Sequence, residues 1–156
     1  MFRRAILILG VSLIPASLPG QDLNKVLHQN PSLKKGVTAL QDQLPDLAID
    51  PLTTSLEEFK DNPSAQTVIR ARLGEALVRA GRLEKEPSST HQIGSSALKH
   101  LQPGIEMGNE QAIFWSAHAH ILRGELGQAS MLFARLENAS DTTLRDRSHL
   151  SRAHIL

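Results

Sequence analysis

The sequence contains no cysteine and no tyrosine, and aromatic residues make up only 3% of it. The absence of cysteine excludes disulfides, thiolate metal sites, a cysteine nucleophile and the lipid-modified cysteine of an anchored bacterial lipoprotein. The scarcity of aromatic side chains removes the stacking platforms on which many proteins hold sugars or single-stranded nucleic acid. The fold must therefore be stabilised mainly by the packing of aliphatic side chains.

An excess of one charge is also missing, because 17 lysines and arginines face 16 aspartates and glutamates, and the formal net charge is +1. Removal of residues 1–20 would take away Arg3 and Arg4 but no acid, and would leave the chain close to neutral. Proteins that bind nucleic acids ordinarily carry a strong basic excess that neutralises phosphates. We therefore expect no nucleic-acid partner.

The chain also lacks an apolar run long enough to span a bilayer, which takes roughly 20 residues. Its N-terminal apolar run, residues 5–14, follows Arg3 and Arg4, breaks at Pro15 and is followed by small residues up to Gly20. This order is typical of a signal peptide. It predicts that residues 1–20 are cleaved near Gly20, that the protein is exported to a periplasm or secreted, and that no permanent membrane anchor remains. A retained anchor and a buried N-terminal helix are the alternatives.

Helical spacing of apolar residues dominates the rest of the chain, and no stretch alternates apolar and polar residues as a strand would, so the predicted class is all-α. In residues 21–63, prolines separate short apolar clusters, which predicts an N-terminal region of short helices. From residue 64 the stripes are longer. They predict a helix through Ile69 with a left-handed cap at Gly81, then helices from Thr90 to Leu101 (stopped by Pro103 and Gly104), from Glu110 to Arg123 (ended by Gly124), from Gly127 to Glu137, and from about Thr142 onward.

An internal repeat links two of these helices, because the residues from Ala119 to Leu122 recur from Ala153 to Leu156, an offset of 34 residues. The segment from Ile113 to Leu136 resembles one unit of the tetratricopeptide repeat family, which has that period, and it carries Ala117, Gly124, Ala129 and Phe133 at the family's spacings. The segment from Ile69 to Pro103 resembles a second, less regular unit, and a third begins with Leu150 and Ser151 in register. The resemblance implies that residues 64–156 form a helical-hairpin repeat array, a tetratricopeptide-like α-solenoid truncated at its C-terminus. A generic array of helical hairpins is the alternative.

In proteins of this family the first helices of successive units line a concave groove that binds peptides. Matched position by position, the resemblance implies a groove in which arginine, tryptophan and histidine side chains suit a peptide with an apolar anchor and an acidic group. The groove candidates are Arg72, Glu75, Arg79, Phe114, Trp115, His118, Leu122, His149 and Arg152.

Catalytic signals are weak. The chain contains no nucleophile elbow, phosphate loop, zinc-protease helix or pair of catalytic carboxylates. On the predicted helix, His118 and His120 point about 200° apart and cannot share one ion. We therefore expect no catalytic residues, no metal and no cofactor, and we predict an exported, non-enzymatic scaffold that binds a protein or peptide. Two alternatives are the helical N-terminal part of a larger exported enzyme or envelope-assembly protein that continues beyond residue 156, and a structural protein that self-associates through an uncapped C-terminal end.

Overall fold

The computed structural model describes residues 29–155, and all the regular secondary structure in that range is α-helical, which confirms the all-α class. The predicted signal peptide, residues 1–20, lies outside the described residues. None of the helices between residues 29 and 155 combines the length and the apolar composition needed to cross a membrane. The helices are α1 (Pro31–Gln41), α2 (Pro45–Glu58), α3 (Pro63–Gly81), α4 (Pro87–Glu106), α5 (Glu110–Leu122), α6 (Leu126–Arg135) and α7 (Thr142–Ile155).

Proline and asparagine set the starts of several helices. Proline occupies the first turn of α1, α2, α3 and α4, where its missing N–H would have no helical partner in any case. Asparagine caps α1, α3 and α5, and its side-chain oxygen accepts a hydrogen bond from the backbone N–H three residues later, at 2.7 to 3.0 Å. Residues 31–58 thus form two short helices, and Pro51, one of the prolines between apolar clusters, lies inside α2 and not at a helix boundary.

One predicted cap conformation and one predicted helix end were wrong, because the glycines there serve packing between helices. Helix α3 ends at Gly81, as predicted, but Gly81 is not in the left-handed conformation, and a Cβ on it would meet Leu122 Cδ1 at 2.8 Å. Helix α4 continues through Pro103 to Glu106, and a Cβ on Gly104 would meet Ala112 Cβ at 2.5 Å. By contrast, Gly124 has a φ of +75° directly after α5, so this glycine does end its helix in the left-handed conformation, as predicted.

The helices contact one another in a regular order. Each helix packs against the next one in the chain, and α1 also contacts α3, α3 contacts α5, and α5 contacts α7. Among the described residues, α2, α4 and α6 contact only the helices that precede and follow them. The odd-numbered helices therefore form one continuous side of the molecule.

Two apolar clusters fill the interior. One is built from α1, α2 and α3, around Leu33, Leu52 and Ile69. The other extends from α3 to α7, around Leu101 and Phe114. Helix α3 contributes buried residues to both clusters, so it joins the two ends of the core.

A carboxylate on α5 also ties that helix to the start of α7. Glu110 accepts hydrogen bonds from the backbone N–H groups of Ser140 and Asp141, at 2.7 and 3.2 Å. These backbone hydrogen bonds, that of Ser140 first, lower the pKa of Glu110 below its usual value. The link fixes how the last two odd-numbered helices lie against each other.

Candidate functional site

An open cavity of about 430 Å³ lies on the side formed by the odd-numbered helices. We call it the basic cavity. It is bordered by the turn between α1 and α2, the C-terminal half of α3, α5 and α7. Its lining residues are Gln43, Pro45, Glu75, Arg79, Arg82, Leu83, Trp115 and Arg147.

The wall formed by α3 holds a network around the buried carboxylate of Glu75. Arg72 Nη1 and Arg79 Nη1 donate to the two oxygens of Glu75, at 3.0 and 3.2 Å. Arg79 also donates to the carbonyl oxygen of Leu40 at 3.0 Å and to Gln43 Oε1 at 2.6 Å. These contacts hold the Arg79 guanidinium in one place and connect α3 to the end of α1.

Gln43 reaches Arg79 from an unusual backbone conformation. Its φ is +63°, in the left-handed region that residues other than glycine seldom adopt. The same turn supplies Pro45 to the cavity lining. A sharp left-handed turn thus places both residues at the edge of the cavity.

The opposite wall is aromatic. Trp115 is only 4% exposed, and its ring packs edge-on to Phe114 with centroids 5.2 Å apart. The buried indole N–H of Trp115 has no hydrogen-bond partner among residues 29–155, and in that range the ring is held by packing. The guanidinium of Arg147, on α7, lies 4.7 Å from the centroid of Phe114 and 5.9 Å from that of Trp115. Cation–π attraction therefore orients Arg147 at the mouth of the cavity.

His118 lies behind this wall and is electrically neutral near neutral pH. Its Nδ1 is 2.6 Å from Arg82 Nη2. Because a guanidinium only donates hydrogen bonds, Nδ1 must accept, and the ring proton belongs on Nε2. Burial, followed by the charges of Arg82 and Arg147, lowers the pKa of His118 to about 3. His118 therefore anchors Arg82 without adding a charge.

Positive charge is in excess in the cavity. Three arginines, Arg79, Arg82 and Arg147, line it together with a single carboxylate, that of Glu75. Among the described residues, neither Arg82 nor Arg147 forms an ion pair, although both are exposed. Partial burial of its guanidinium, then repulsion from Arg147 and Arg79, lowers the pKa of Arg82. The cavity thus carries two uncompensated positive charges on an otherwise nearly neutral chain.

The structure brings some of the groove candidates together and separates others. Glu75, Arg79 and Trp115 line the basic cavity, whereas Phe114 and His118 are buried behind its wall. The remaining candidates lie elsewhere: Arg72 borders an adjoining cavity of about 80 Å³, Leu122 packs against Gly81 and Gly94, His149 is exposed outside the cavity lining, and Arg152 pairs with Glu137.

Sequence reasoning missed Arg82 and Arg147 as residues of the cavity. Arg82 follows directly on Gly81, where the helix was expected to end. Arg147 lies two residues before His149, on the helix that was expected to contribute His149 and Arg152. A basic residue beside each predicted groove position was the available signal, but it does not specify which way the side chain points.

Nothing in residues 29–155 resembles a metal site, because no group of three histidine or acidic side chains has a suitable arrangement there. His118 contacts Arg82, whereas His120 Nδ1 lies 2.6 Å from Glu125 Oε2, so the two rings have separate surroundings. Comparisons of the chain with protein-family models, with curated proteins and with solved structures found no match.

Proposed function

We propose that this protein is an exported, non-enzymatic interaction scaffold, built as a tetratricopeptide-like array of helical hairpins, that holds an acidic segment of another protein in the basic cavity. The observation that carries the proposal is that Arg82 and Arg147, which form no ion pair with any described residue, lie beside Trp115 in a cavity lined by three odd-numbered helices. Arginine and tryptophan contribute much of the binding energy in protein interfaces.

The order of helix contacts supports the repeat array. In stacked hairpins, each helix packs against its chain neighbours and the first helices of successive units pack against one another. The contacts of α1 with α3, α3 with α5 and α5 with α7 follow that order. In this proposal α1 and α2 form a hairpin ahead of the units expected from the sequence, and the cavity lies on the side that the first helices share.

The cavity suits a charged segment because its cations are already held in place. Arg147 rests on two aromatic rings and Arg82 on His118, so little side-chain freedom is lost when a ligand binds. Charge-assisted hydrogen bonds from arginine to a carboxylate are among the stronger polar contacts in proteins. An acidic partner segment would also relieve the repulsion between the guanidinium groups.

Selection from an unbiased library of displayed peptides tests this function. We expect peptides that bind the native chain and lose binding to the Arg82→Gln, Arg147→Gln double variant. Arg145→Gln is the matched control, because Arg145 lies on the same helix as Arg147 and outside the cavity lining. Trp115→Ala is less suitable, since loss of a buried ring costs about 3–5 kcal/mol of stability.

Two results would contradict the proposal. One is that no peptide is enriched on the native chain. The other is that the enriched peptides bind the double variant as well as they bind the native chain, because their site then lies outside the basic cavity.

Export is tested separately, by expressing the full chain in a bacterial host and measuring the mass of the protein in the envelope and external fractions. We expect a mature chain that begins near Gln21. A chain that stays in the cytosol with residues 1–20 attached would contradict this part of the proposal.

A further inference from the structure

We infer that the segment held in the basic cavity presents two neighbouring carboxylates next to a large apolar side chain. This inference rests on the proposed function and specifies the partner's chemistry. It follows from the contacts that the three arginines of the cavity already make and from the exposed Leu83 in the cavity lining.

The number of carboxylates follows from the number of cavity arginines that have no ion-pair partner among the described residues. Arg79 forms an ion pair with Glu75 and uses three of its five N–H groups on Glu75, Leu40 and Gln43, so its charge is already compensated. Arg82 and Arg147 have no carboxylate partner in the part of the chain that the structure describes. A single carboxylate would neutralise one of them and leave the other. Two carboxylates match the two charges in excess.

The separate positions of the two arginines favour two carboxylates over one doubly charged phosphoryl group. Arg82 follows α3 and is hydrogen-bonded to His118, whereas Arg147 belongs to α7 and stacks on Phe114 and Trp115. With two carboxylates each guanidinium can bind one acid and keep its own contact, whereas one phosphoryl group would have to bind both guanidiniums at once.

The apolar part of the inference comes from the edge of the cavity. Leu83, which lines the cavity, is 67% exposed. An exposed apolar side chain in the lining of a charged cavity offers an apolar group of a partner a surface to bury. A large apolar side chain of the partner would cover Leu83 while its acids reach the arginines.

Trp115 provides a direct readout of occupancy, because it is the only tryptophan and the chain has no tyrosine. Its emission can be followed while short peptides without aromatic residues are added. The parent peptide has two glutamates followed by leucine between neutral flanks. Its variants carry glutamine for one or both glutamates, serine for leucine, or one phosphoserine in place of the two glutamates.

We expect the parent peptide to change the emission of Trp115 and to bind most tightly of the series. Replacing either glutamate should weaken binding about tenfold, equivalent to about 1.4 kcal/mol, within the range for a hydrogen bond between charged groups. Replacing leucine should weaken binding by a similar factor, and the loss should shrink in a Leu83→Ser protein. Affinity for the parent peptide should fall as salt is added, because the attraction is electrostatic.

Protein variants test whether each arginine binds one glutamate. In Arg82→Gln or Arg147→Gln protein, a peptide with two glutamates should bind less than about threefold more tightly than a peptide with one. In Arg145→Gln protein, the two-glutamate peptide should keep the same advantage in affinity that it has with the native protein. Circular dichroism verifies that the variants keep their helices.

The inference is overturned if the peptide without glutamate binds as tightly as the parent, or if the phosphoserine peptide binds more tightly than the parent. It is also overturned if no peptide in the series alters the emission of Trp115 at millimolar concentration. The proposed function stands independently of these results if library peptides of other composition still require Arg82 and Arg147.

Discussion

Replacing Gly74 by alanine is expected to destabilise the protein, although the same change in most helix interiors is stabilising. Alanine favours a helix over glycine by about 1 kcal/mol. At Gly74, however, the new Cβ would lie 2.4 Å from both Cγ and Cδ2 of Leu101 and 2.9 Å from its Cδ1. Leu101 is 0% exposed, so it cannot swing into solvent. Overpacking of this kind costs about 1–3 kcal/mol, and contacts this short favour the upper end. We therefore expect a net loss of about 2 kcal/mol.

Urea unfolding followed by circular dichroism measures this loss. Gly127→Ala is the matched control, because Gly127 lies in α6 and a Cβ there meets nothing within 4 Å. The control should raise the free energy of unfolding, by at most about 1 kcal/mol. In a Leu101→Ala background, Gly74→Ala should become neutral or stabilising, since the obstructing side chain is gone. The close approach of α3 and α4 would be refuted if Gly74→Ala stabilised the native chain as much as Gly127→Ala does.

Three further predictions concern single side chains. The pKa of His118 is lowered from 6.5 to about 3 in the folded chain. Between these two pH values the His118 side chain is protonated in the unfolded chain but not in the folded one, so stability falls as the pH drops from 6.5 toward 3. Between about pH 7 and pH 4.5, the free energy of unfolding in urea should therefore fall by about 2–3 kcal/mol more for the native chain than for His118→Gln. Equal decreases would contradict the lowered pKa of His118. Asn62→Ala should lower the unfolding free energy by about 1 kcal/mol through loss of the cap on α3, measured against Asn138→Ala, whose exposed side chain caps no helix. Glu110→Gln should speed hydrogen exchange at the amides of Ser140 and Asp141, and unchanged exchange would show that the carboxylate does not hold this turn.

Most helix positions could be predicted because local patterns determine them. Helix α5 was predicted from Glu110 to Arg123 and ends at Leu122, and Gly124 adopts the left-handed conformation expected of it. The wrong cap conformation at Gly81 and the wrong helix end at Gly104 have a common cause. A glycine that caps or stops a helix and a glycine that admits a neighbouring helix look alike in sequence, and only the tertiary contacts distinguish them.

The basic cavity could be predicted only in part. Glu75, Arg79 and Trp115 were groove candidates from their positions along helices, and all three line the cavity. Arg82 directly follows the last residue of its helix, where the helical repeat no longer gives the direction of a side chain. The direction of the Arg147 side chain depends on how α7 is rotated about its own axis against α5, and that rotation is set by packing between distant segments. The position of a side chain along a helix could therefore be predicted from the sequence, whereas the direction in which it points could not.

The order of helix contacts has a consequence for how quickly the chain can reach its native state. Every helix between residues 31 and 155 touches only helices one or two places away in the chain. Such local contacts close short loops, and proteins dominated by them fold rapidly. Each pair of helices can therefore form as soon as its own residues are available. A chain released gradually, from its N-terminal end, could begin to fold before its last helix has emerged.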